Sequence, residues 1–287
     1  MCGRYAQSRN VQQLRLDFGL PEESLPGEDV DTRAWPPLEE LEPDYNISPG
    51  RPVYAVLGPP PQGGDTVASG PSSLHTLRWG LIPSWAKDRN IGYRMINARS
   101  ETVADKPAFR TAFRRRRCLL PADAYYEWQL IGRDGTVQAS TSPATDPDHK
   151  KRKAKADKKP YSIHYPGGEE PLAMAGIFER WRDPEAPEED PAGWVWSCAV
   201  ITTEAAPALA HIHERMPVIV PRQDWDAWLD PGTGPDELMH IMADTPADRF
   251  AVDEVSTDVN TIKNNRPDLL TPLPAGGGPE AEPDTLF

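Results

Sequence analysis

The sequence predicts an α+β fold in which a mainly antiparallel β sheet curls into a barrel-like core with a few flanking helices. Seven short runs rich in β-branched and aromatic residues occur along the chain, and regular helical patterns do not separate them. With 287 residues, 38% of them hydrophobic, the chain can bury a substantial core. We therefore expect a single domain over residues 1–274.

The predicted strands cover residues 52–57, 75–82, 117–121, 122–130, 160–165, 172–181 and 195–202. Asn10 is a suitable cap for a short helix that runs through Phe18. A second capped helix is expected to begin at Ser100, because Phe109 and Phe113 lie four residues apart and would share one face. Further helices are expected near residues 204–210, 222–229 and 236–242.

Two segments have compositions that do not favour packed structure. Residues 132–159 end in KKRKAKADKK and predict a basic disordered insertion in a hairpin loop. Residues 275–287 are rich in proline, glycine and acidic residues and predict a loose tail.

Charge is distributed unevenly along the chain. The formal net charge is −13, yet residues 78–118 carry eleven lysines and arginines against three acidic residues. A basic surface on an acidic protein indicates a polyanion bound at one face, although such a run is often only a solvated surface. The run Arg114–Arg117 fits either interpretation equally.

The composition also excludes several classes of protein. No stretch approaches the roughly 18 apolar residues that span a bilayer, and no secretory signal is recognisable, so we expect a cytoplasmic protein without a membrane partner. The three cysteines have no CxxC spacing, so neither a disulfide framework nor a metal site is expected. Cys118 and Cys198 are interpreted as small buried residues on strands. We expect no cofactor and a monomer.

The chain begins MCGRYAQS, which places a cysteine directly after the initiator methionine. Once Met1 is removed, Cys2 carries a free α-amine and a thiol on adjacent carbons. An amine and a thiol in this arrangement can add in turn to one aldehyde carbon and close a five-membered thiazolidine ring. Cys118 and Cys198 cannot form that ring, because their nitrogens belong to peptide bonds.

Six motifs occur in order along the chain: MCGRY, YNISPG (45–50), RWGLIPSW (78–85), INARSET (96–102), RRCLLPADAYYEW (116–128) and HIHERMPVIV (211–220). Together they resemble the motifs of the SOS response-associated peptidase family, which includes proteins that attach covalently to abasic sites in single-stranded DNA. The resemblance extends from Met1 to about Pro274. It implies capture of the open-chain sugar aldehyde by Cys2, with shielding of the lesion in the DNA damage response and association with the nucleoid on damaged DNA.

The resemblance implies that Cys2, Asn97, Glu127 and His213 are the catalytic residues. Strand alternation puts Glu127 on the face of Tyr125 and opposite Tyr126, where partial desolvation suits a carboxylate to proton exchange. His213 can protonate the sugar oxygen or bind a phosphate, whereas His211 would point away in an extended segment.

The resemblance also implies a DNA-binding set, which consists of Arg4, Pro49, Trp85, Arg99 and Arg215. Arginine forks grip phosphates on both sides of a lesion, and exposed rings or prolines stack on bases regardless of sequence. Trp79 is assigned instead to the core.

Two other functions stay open. Cys2 could be the nucleophile of an N-terminal-nucleophile cysteine peptidase that removes Met1 itself, with Glu127 or His213 as base. The protein could also bind single-stranded DNA without covalent chemistry. Basic and stacking residues near Cys2 favour capture of abasic DNA over the peptidase, and the proposed catalytic residues favour either over a simple binding module.

Overall fold

A computed structural model describes residues 2–21, 35–59, 70–132, 135–139, 157–190 and 193–274. The predicted tail 275–287 lies outside these residues, as does most of the predicted insertion at 132–159. Within the described part, the thirteen strands in chain order are β1 Tyr5–Gln7, β2 Asp44–Ile47, β3 Pro52–Leu57, β4 Ser73–Trp79, β5 Asn97–Arg99, β6 Arg117–Ala122, β7 Ala124–Ile131, β8 Val137–Gln138, β9 Asp157–His164, β10 Leu172–Arg182, β11 Trp194–Glu204, β12 Arg215–Pro217 and β13 Ala251–Glu254.

Five of these strands close into a barrel. Strand β10 pairs with β6, β6 with β3, β3 with β4, β4 with β11, and β11 pairs again with β10. The β4–β11 pairing is parallel and the other four pairings are antiparallel. Strands β5 and β12 add to β11 outside the closed ring. The predicted α+β class with a curled, mainly antiparallel sheet is therefore confirmed.

A second sheet carries the beginning of the chain. Its strands follow the order β13, β9, β7, β1, β2, and β8 pairs with β7. Strand β1 lies antiparallel to β7, with Tyr5 opposite Tyr125. The β7–β9 ladder reaches Asp157, so its last residues fall within the segment predicted as an insertion.

Four α-helices flank the sheets in the described part: α1 Val11–Phe18, α2 Arg110–Arg115, α3 Trp225–Leu229 and α4 Pro235–Ala243. Helix α1 begins as predicted, because the Asn10 side chain accepts from the Gln13 amide and the Gln13 side chain accepts from the Asn10 amide. It ends at Gly19, which adopts a left-handed conformation with φ of 64°. Leu14 and Phe18 are buried on one face of this helix.

Buried side chains form two large clusters on the closed strands. One includes Tyr54, Val56 and Leu119 and packs against all four helices. The other includes Trp79, Cys118 and Cys198 and packs against the second sheet. The predictions that Trp79 belongs to the core and that Cys118 and Cys198 are buried strand residues are confirmed. In the described ranges no helix is long and apolar enough to cross a membrane.

The predicted helix from Ser100 is wrong. The Ser100 amide donates to the Thr202 carbonyl and extends the β5–β11 ladder, and successive turns follow. Pro107 disfavours helical backbone at Lys106, so α2 begins only at Arg110. Phe109 and Phe113 are nevertheless both buried.

The predicted helix at residues 204–210 is also wrong. Glu204 still belongs to β11, and the Leu209 and Ala210 amides both donate to the Ala206 carbonyl within turns. The Ala205 amide pairs with the Glu214 carbonyl, so this segment forms a closed loop that leads into β12.

The run Arg114–Arg117 does not behave as a unit. Arg117 is buried, and its guanidinium donates to the main-chain carbonyls of Phe113, Arg114, Trp228 and Asp230. Because burial removes water from this cation, the pKa of Arg117 is lowered to about 10. Neither sequence interpretation, a grip on DNA or solvation, applies to Arg117, which instead joins α2 to α3.

Candidate functional site

Cys2 lies three residues before the start of β1 and is fully buried. It packs in the same cluster as Tyr5 and Tyr125, the pair that joins β1 to β7. Burial raises the pKa of the Cys2 thiol, and the negative charge of Glu127 raises it further. The positive charge of the N-terminal amine opposes these effects, as does, to a smaller extent, a hydrogen bond from the Arg4 main-chain amide. The thiol is therefore protonated at neutral pH and has a carboxylate close by.

Asn97 holds the main chain of Cys2. It begins β5, which the ladder to β11 fixes with Asn97 opposite Val200. Its Nδ2 donates to the Cys2 carbonyl oxygen over 2.8 Å. Its Oδ1 is buried, and no described residue donates to it. Asn97 thus offers an acceptor beside the first residues of the chain.

Glu127 and His213 form the polar pair of the site. Alternation along β7 places Tyr126 in a different cluster from Tyr125, as predicted, and the Glu127 carboxylate lies on the Tyr125 face. Both members of the pair are buried, with His213 Nε2 and Glu127 Oε2 4.0 Å apart.

The tautomer of His213 follows from its other nitrogen. The Arg215 main-chain amide donates to His213 Nδ1 over 2.9 Å, so Nδ1 is an acceptor and the proton of the neutral ring is assigned to Nε2. Nε2 is the atom nearer Glu127. The segment before β12 is a turn and not an extended strand, with the His213 amide bound to the Leu209 carbonyl. His211 is exposed whereas His213 is buried. The predicted reason for this difference is wrong, because the segment is a turn and because residues two apart in an extended strand share one face.

A small pocket of about 180 Å³, counting its open mouth, lies beside this pair. Its lining comprises Tyr125, Glu127, Ile163, Leu209, Ile212, His213, Arg215 and Met216. The Tyr125 hydroxyl is buried, and no described residue is bonded to it. Sequence reasoning missed this group, although its position two residues before Glu127 on the same strand face was a usable signal.

Arg215 is nine-tenths buried, and its guanidinium binds protein groups. Nη1 and Nη2 donate to the two carboxylate oxygens of Glu101 over 2.5 and 2.9 Å, and Nη2 also donates to the Thr202 carbonyl. The hydrogen bond from Arg215 is the main cause that lowers the pKa of Glu101, with a smaller contribution from Arg99. Glu101 therefore lies in the field of both arginines that were predicted to grip phosphate.

Arg4 is directed elsewhere. Its Nη1 donates to Asn46 Oδ1 over 2.7 Å and to the Val259 carbonyl over 2.9 Å, and its guanidinium lies over the Trp128 ring. These residues belong to the face of β7 opposite Glu127. Arg4 ties the start of the chain to its C-terminal part, which makes it a poor phosphate ligand beside Cys2.

Two exposed aromatic rings lie in the segments around the other predicted DNA contacts. Trp85 is 60% exposed in the loop after β4, and Tyr93 is 55% exposed in the 3₁₀ helix Arg89–Arg94. The Arg78 guanidinium lies over the Tyr93 ring, and its Nη1 donates to the Gly50 carbonyl next to Pro49. Tyr93 was not predicted from the sequence.

Only glycine fits at position 50. Gly50 has a φ of 92°, and an added Cβ would lie 2.8 Å from the Tyr93 ring. The turn that contains Pro49 is therefore held against Tyr93 and Arg78, which places the predicted stacking proline beside an exposed ring.

The fold and site define a class of protein: a closed, mainly antiparallel barrel with a buried cysteine at position 2 near Glu127, a member of a buried carboxylate–imidazole pair. A family model described as SOS response associated peptidase (SRAP) matches residues 1–262. The chain belongs to this family, as the sequence resemblance predicted.

Several relatives carry the name abasic site processing protein. The chain is 33% identical to YoqW of Bacillus subtilis (strain 168), over 94% of this chain and 99% of that protein. It is 35% identical to YoaM of the same organism, over 94% of this chain and 97% of that protein. HMCES of Gallus gallus is 29% identical over 96% of this chain and 79% of its own length.

Solved structures share the fold. A protein from Bacteroides thetaiotaomicron superposes with a TM-score of 0.68 over 95% of this chain and all of that chain, at 20% identity. A protein from Bordetella bronchiseptica superposes with a TM-score of 0.58 over 89% of this chain, at 22% identity.

Proposed function

We propose that this protein captures abasic sites in single-stranded DNA through a thiazolidine link to Cys2 and shields the lesion during the DNA damage response. One observation carries the proposal: residue 2 is a buried cysteine whose main chain is held by Asn97 beside the Glu127–His213 pair. The names of the relatives, which refer to abasic site processing, support the choice of substrate.

The carboxylate–imidazole pair suits the opening of the sugar. In the closed form of an abasic site, C1′ carries a hydroxyl and a ring oxygen. Glu127 takes the hydroxyl proton and delivers it to O4′ as the C1′–O4′ bond breaks, while His213 Nε2–H donates a hydrogen bond that stabilises the charge developing on O4′. Glu127 is a carboxylate again and His213 is neutral at the end of this step. The result is an aldehyde at C1′ and a hydroxyl at C4′. The hydrogen bond from the Arg215 amide to Nδ1 supports this role, because it leaves the proton of the neutral imidazole on Nε2.

The amine of Cys2 then attacks C1′, and loss of water gives a protonated imine. Sγ attacks the same carbon, the electron pair of the C=N bond moves to nitrogen, and the thiol proton passes to Glu127. The thiazolidine ring is closed without any oxidant or reductant. Asn97 orients the amine through its bond to the Cys2 carbonyl, and its free Oδ1 can accept from the amine.

The state of the thiol argues against the peptidase alternative. A cysteine peptidase attacks with a thiolate, whereas burial and the charge of Glu127 both raise the pKa of the Cys2 thiol. Capture of an aldehyde begins with the amine and needs the thiol only after the imine has formed. The electrostatics therefore favour aldehyde capture.

The exposed aromatic rings suit single-stranded DNA. Trp85 and Tyr93 present rings on which unpaired bases stack, and the Arg78 guanidinium lies over the Tyr93 ring as a cation. An intact duplex would first have to be unstacked at the lesion. Arg99 and Arg215 are proposed to hold the phosphates that flank the sugar.

The test is denaturing electrophoresis and intact mass after mixing the protein with an oligonucleotide that contains one abasic site. Wild type is expected to gain the mass of the oligonucleotide less one water. Cys2→Ala should form no stable adduct, and Cys118→Ala should form as much as wild type. An uncleavable residue before Cys2 should abolish the adduct too, because it blocks the amine and leaves the thiol. Stable adduct in both blocked forms would rule out the thiazolidine mechanism.

A further inference from the structure

Glu101 occupies the one face of Arg215 that could bind a phosphate with two nitrogens. The end of the guanidinium fork, formed by Nη1 and Nη2, is taken by the two carboxylate oxygens. The second hydrogen of Nη2 points to the Thr202 carbonyl. Nε is buried and has no partner among the described residues. A bidentate phosphate contact at the end of the fork therefore requires that the carboxylate leave.

The geometry of the pair matches that of a bound phosphate. Carboxylate and phosphate oxygens bind the arginine fork in the same bidentate manner. Glu101 also lies in the field of Arg99, so two cations face one carboxylate. Arg215 is nine-tenths buried whereas the Glu101 side chain is 49% exposed, which leaves the carboxylate on the solvent side of the pair. The Glu101 carboxylate, which occupies the position of a phosphate on Arg215, is thus the more mobile partner of the pair.

The local backbone lets the carboxylate move without disturbing the site. Glu101 belongs to a turn after β5, in which the Thr102 amide bonds the Arg99 carbonyl. Arg215 keeps its own position through β12, which pairs with β11, and through the bond of Nη2 to Thr202. Rotation of one glutamate side chain is therefore enough to free the fork.

We propose that Glu101 is an internal phosphate mimic, a carboxylate latch that fills the phosphate seat of Arg215 in the free protein and is displaced by the DNA backbone. This inference deepens the proposed function, on which it rests, by adding a residue that sets affinity for the strand. The latch keeps a buried arginine paired when no DNA is bound, since an unpaired buried cation is costly. Its cost is weaker binding to DNA, because each binding event breaks the internal pair.

Fluorescence anisotropy with an unmodified single-stranded oligonucleotide tests the latch without any aldehyde chemistry. Glu101→Gln removes the charge and keeps the shape, and Glu101→Ala removes both. Glu204→Gln is the matched control, because Glu204 is exposed and lies opposite Arg215 in the β11–β12 ladder without an ion pair to it. Both glutamine variants lose one negative charge near Arg215.

Both Glu101 variants are expected to bind about threefold to fivefold more tightly than Glu204→Gln, the range of a well-formed exposed ion pair. The slope of log affinity against log salt should be the same in wild type and in the variants, because Arg215 binds the same phosphate in every complex and only the internal pair differs. Glu101 variants that bind no better than the control, or a wild type and variants that all fail to bind, overturn the latch.

Adduct formation with abasic DNA separates this inference from the proposed function. If the Glu101 variants bind no more tightly than the control but wild type still forms a Cys2-dependent adduct, only the latch is wrong. If the Glu101 variants bind more tightly but wild type forms no adduct, only the proposal of covalent capture is wrong.

Discussion

A double-mutant cycle on Glu127 and His213 tests whether these residues act as one proton-transfer unit. The perturbations are Glu127→Gln, His213→Ala and the double variant. Both side chains are buried, and their facing atoms are 4.0 Å apart. Measured couplings between contacting residues are commonly about 0.5–3 kcal/mol.

The rate of adduct formation gives the magnitude. Each single variant should be slower than wild type by about 10²- to 10⁴-fold, the usual contribution of one positioned proton donor or acceptor. If the two residues open the sugar together, removal of the second residue should lower the rate only slightly once the first has been removed. The double variant should then react within roughly tenfold of the slower single variant, which corresponds to a coupling of at least about 1–3 kcal/mol.

The assay is a time course of adduct formation at saturating protein, with an oligonucleotide that carries one abasic site. The control cycle combines Glu127→Gln with Trp85→Ala, because base stacking and proton transfer act on different steps and should be additive. If the effects of Glu127→Gln and His213→Ala multiply in the double variant, the two residues act independently and the concerted opening of the sugar is wrong.

Two further predictions concern binding and stability. Trp85→Ala should weaken binding to single-stranded DNA by about 1–3 kcal/mol, the contribution of one stacked base, in an anisotropy titration where Leu16→Ala on α1 has no effect; equal losses would exclude specific stacking. His75 is buried, with its pKa lowered from 6.5 to about 4. His75 therefore binds a proton more tightly in the unfolded chain than in the folded protein. The free energy of unfolding should fall by about 3 kcal/mol as the pH is lowered from 6.5 to 4. Urea unfolding should show this loss in wild type, and an equal loss in His75→Asn would disprove it.

Burial is the cause that lowers the pKa of His75, and the hydrogen bond to the Pro36 carbonyl opposes it. The contacts of the other ring nitrogen also favour the neutral ring. Nε2 lies 2.9 Å from the Trp35 indole nitrogen, which donates to it, and 2.7 Å from the Ser73 hydroxyl. Nδ1 faces the Pro36 carbonyl and carries the ring proton. A second proton on Nε2 would therefore point at the indole N–H, which only donates. The neutral ring is the form that this environment stabilises.

The fold was largely predictable because its signals are local. Alternation in AYYEWQL gave the face of Glu127, and the Asn10 cap gave the start of α1. The helix predicted at Ser100 failed because its first amide is bound to Thr202, a residue about one hundred positions away. A capping pattern records the local preference, and pairing with a distant strand overrides it.

The site was predictable in its members and less so in their partners. The motifs identified Asn97, Glu127 and His213. The hydrogen-bond partners of Arg4 and Arg215, in contrast, depend on which residues the folded chain brings next to them. Arg4 meets Asn46 and Val259, and Arg215 meets Glu101. An arginine in a motif binds phosphate directly only where its fork is open; where a carboxylate of the protein fills the fork, as Glu101 does at Arg215, that carboxylate has to leave first.

In the proposed mechanism of capture, the buried state of Cys2 sets the order of events. A thiol with a raised pKa beside a carboxylate is a poor first nucleophile, so the amine must add to the aldehyde first. Once the protonated imine forms, its positive charge lies next to Sγ and Glu127, and the same carboxylate that disfavoured the thiolate becomes the acceptor for the thiol proton. The negative charge of Glu127 therefore disfavours reaction of the thiol before the imine forms and favours its deprotonation afterwards, when the sulfur has to attack. The Cys2 thiol should accordingly resist alkylation in the free protein, while the amine reacts with the sugar.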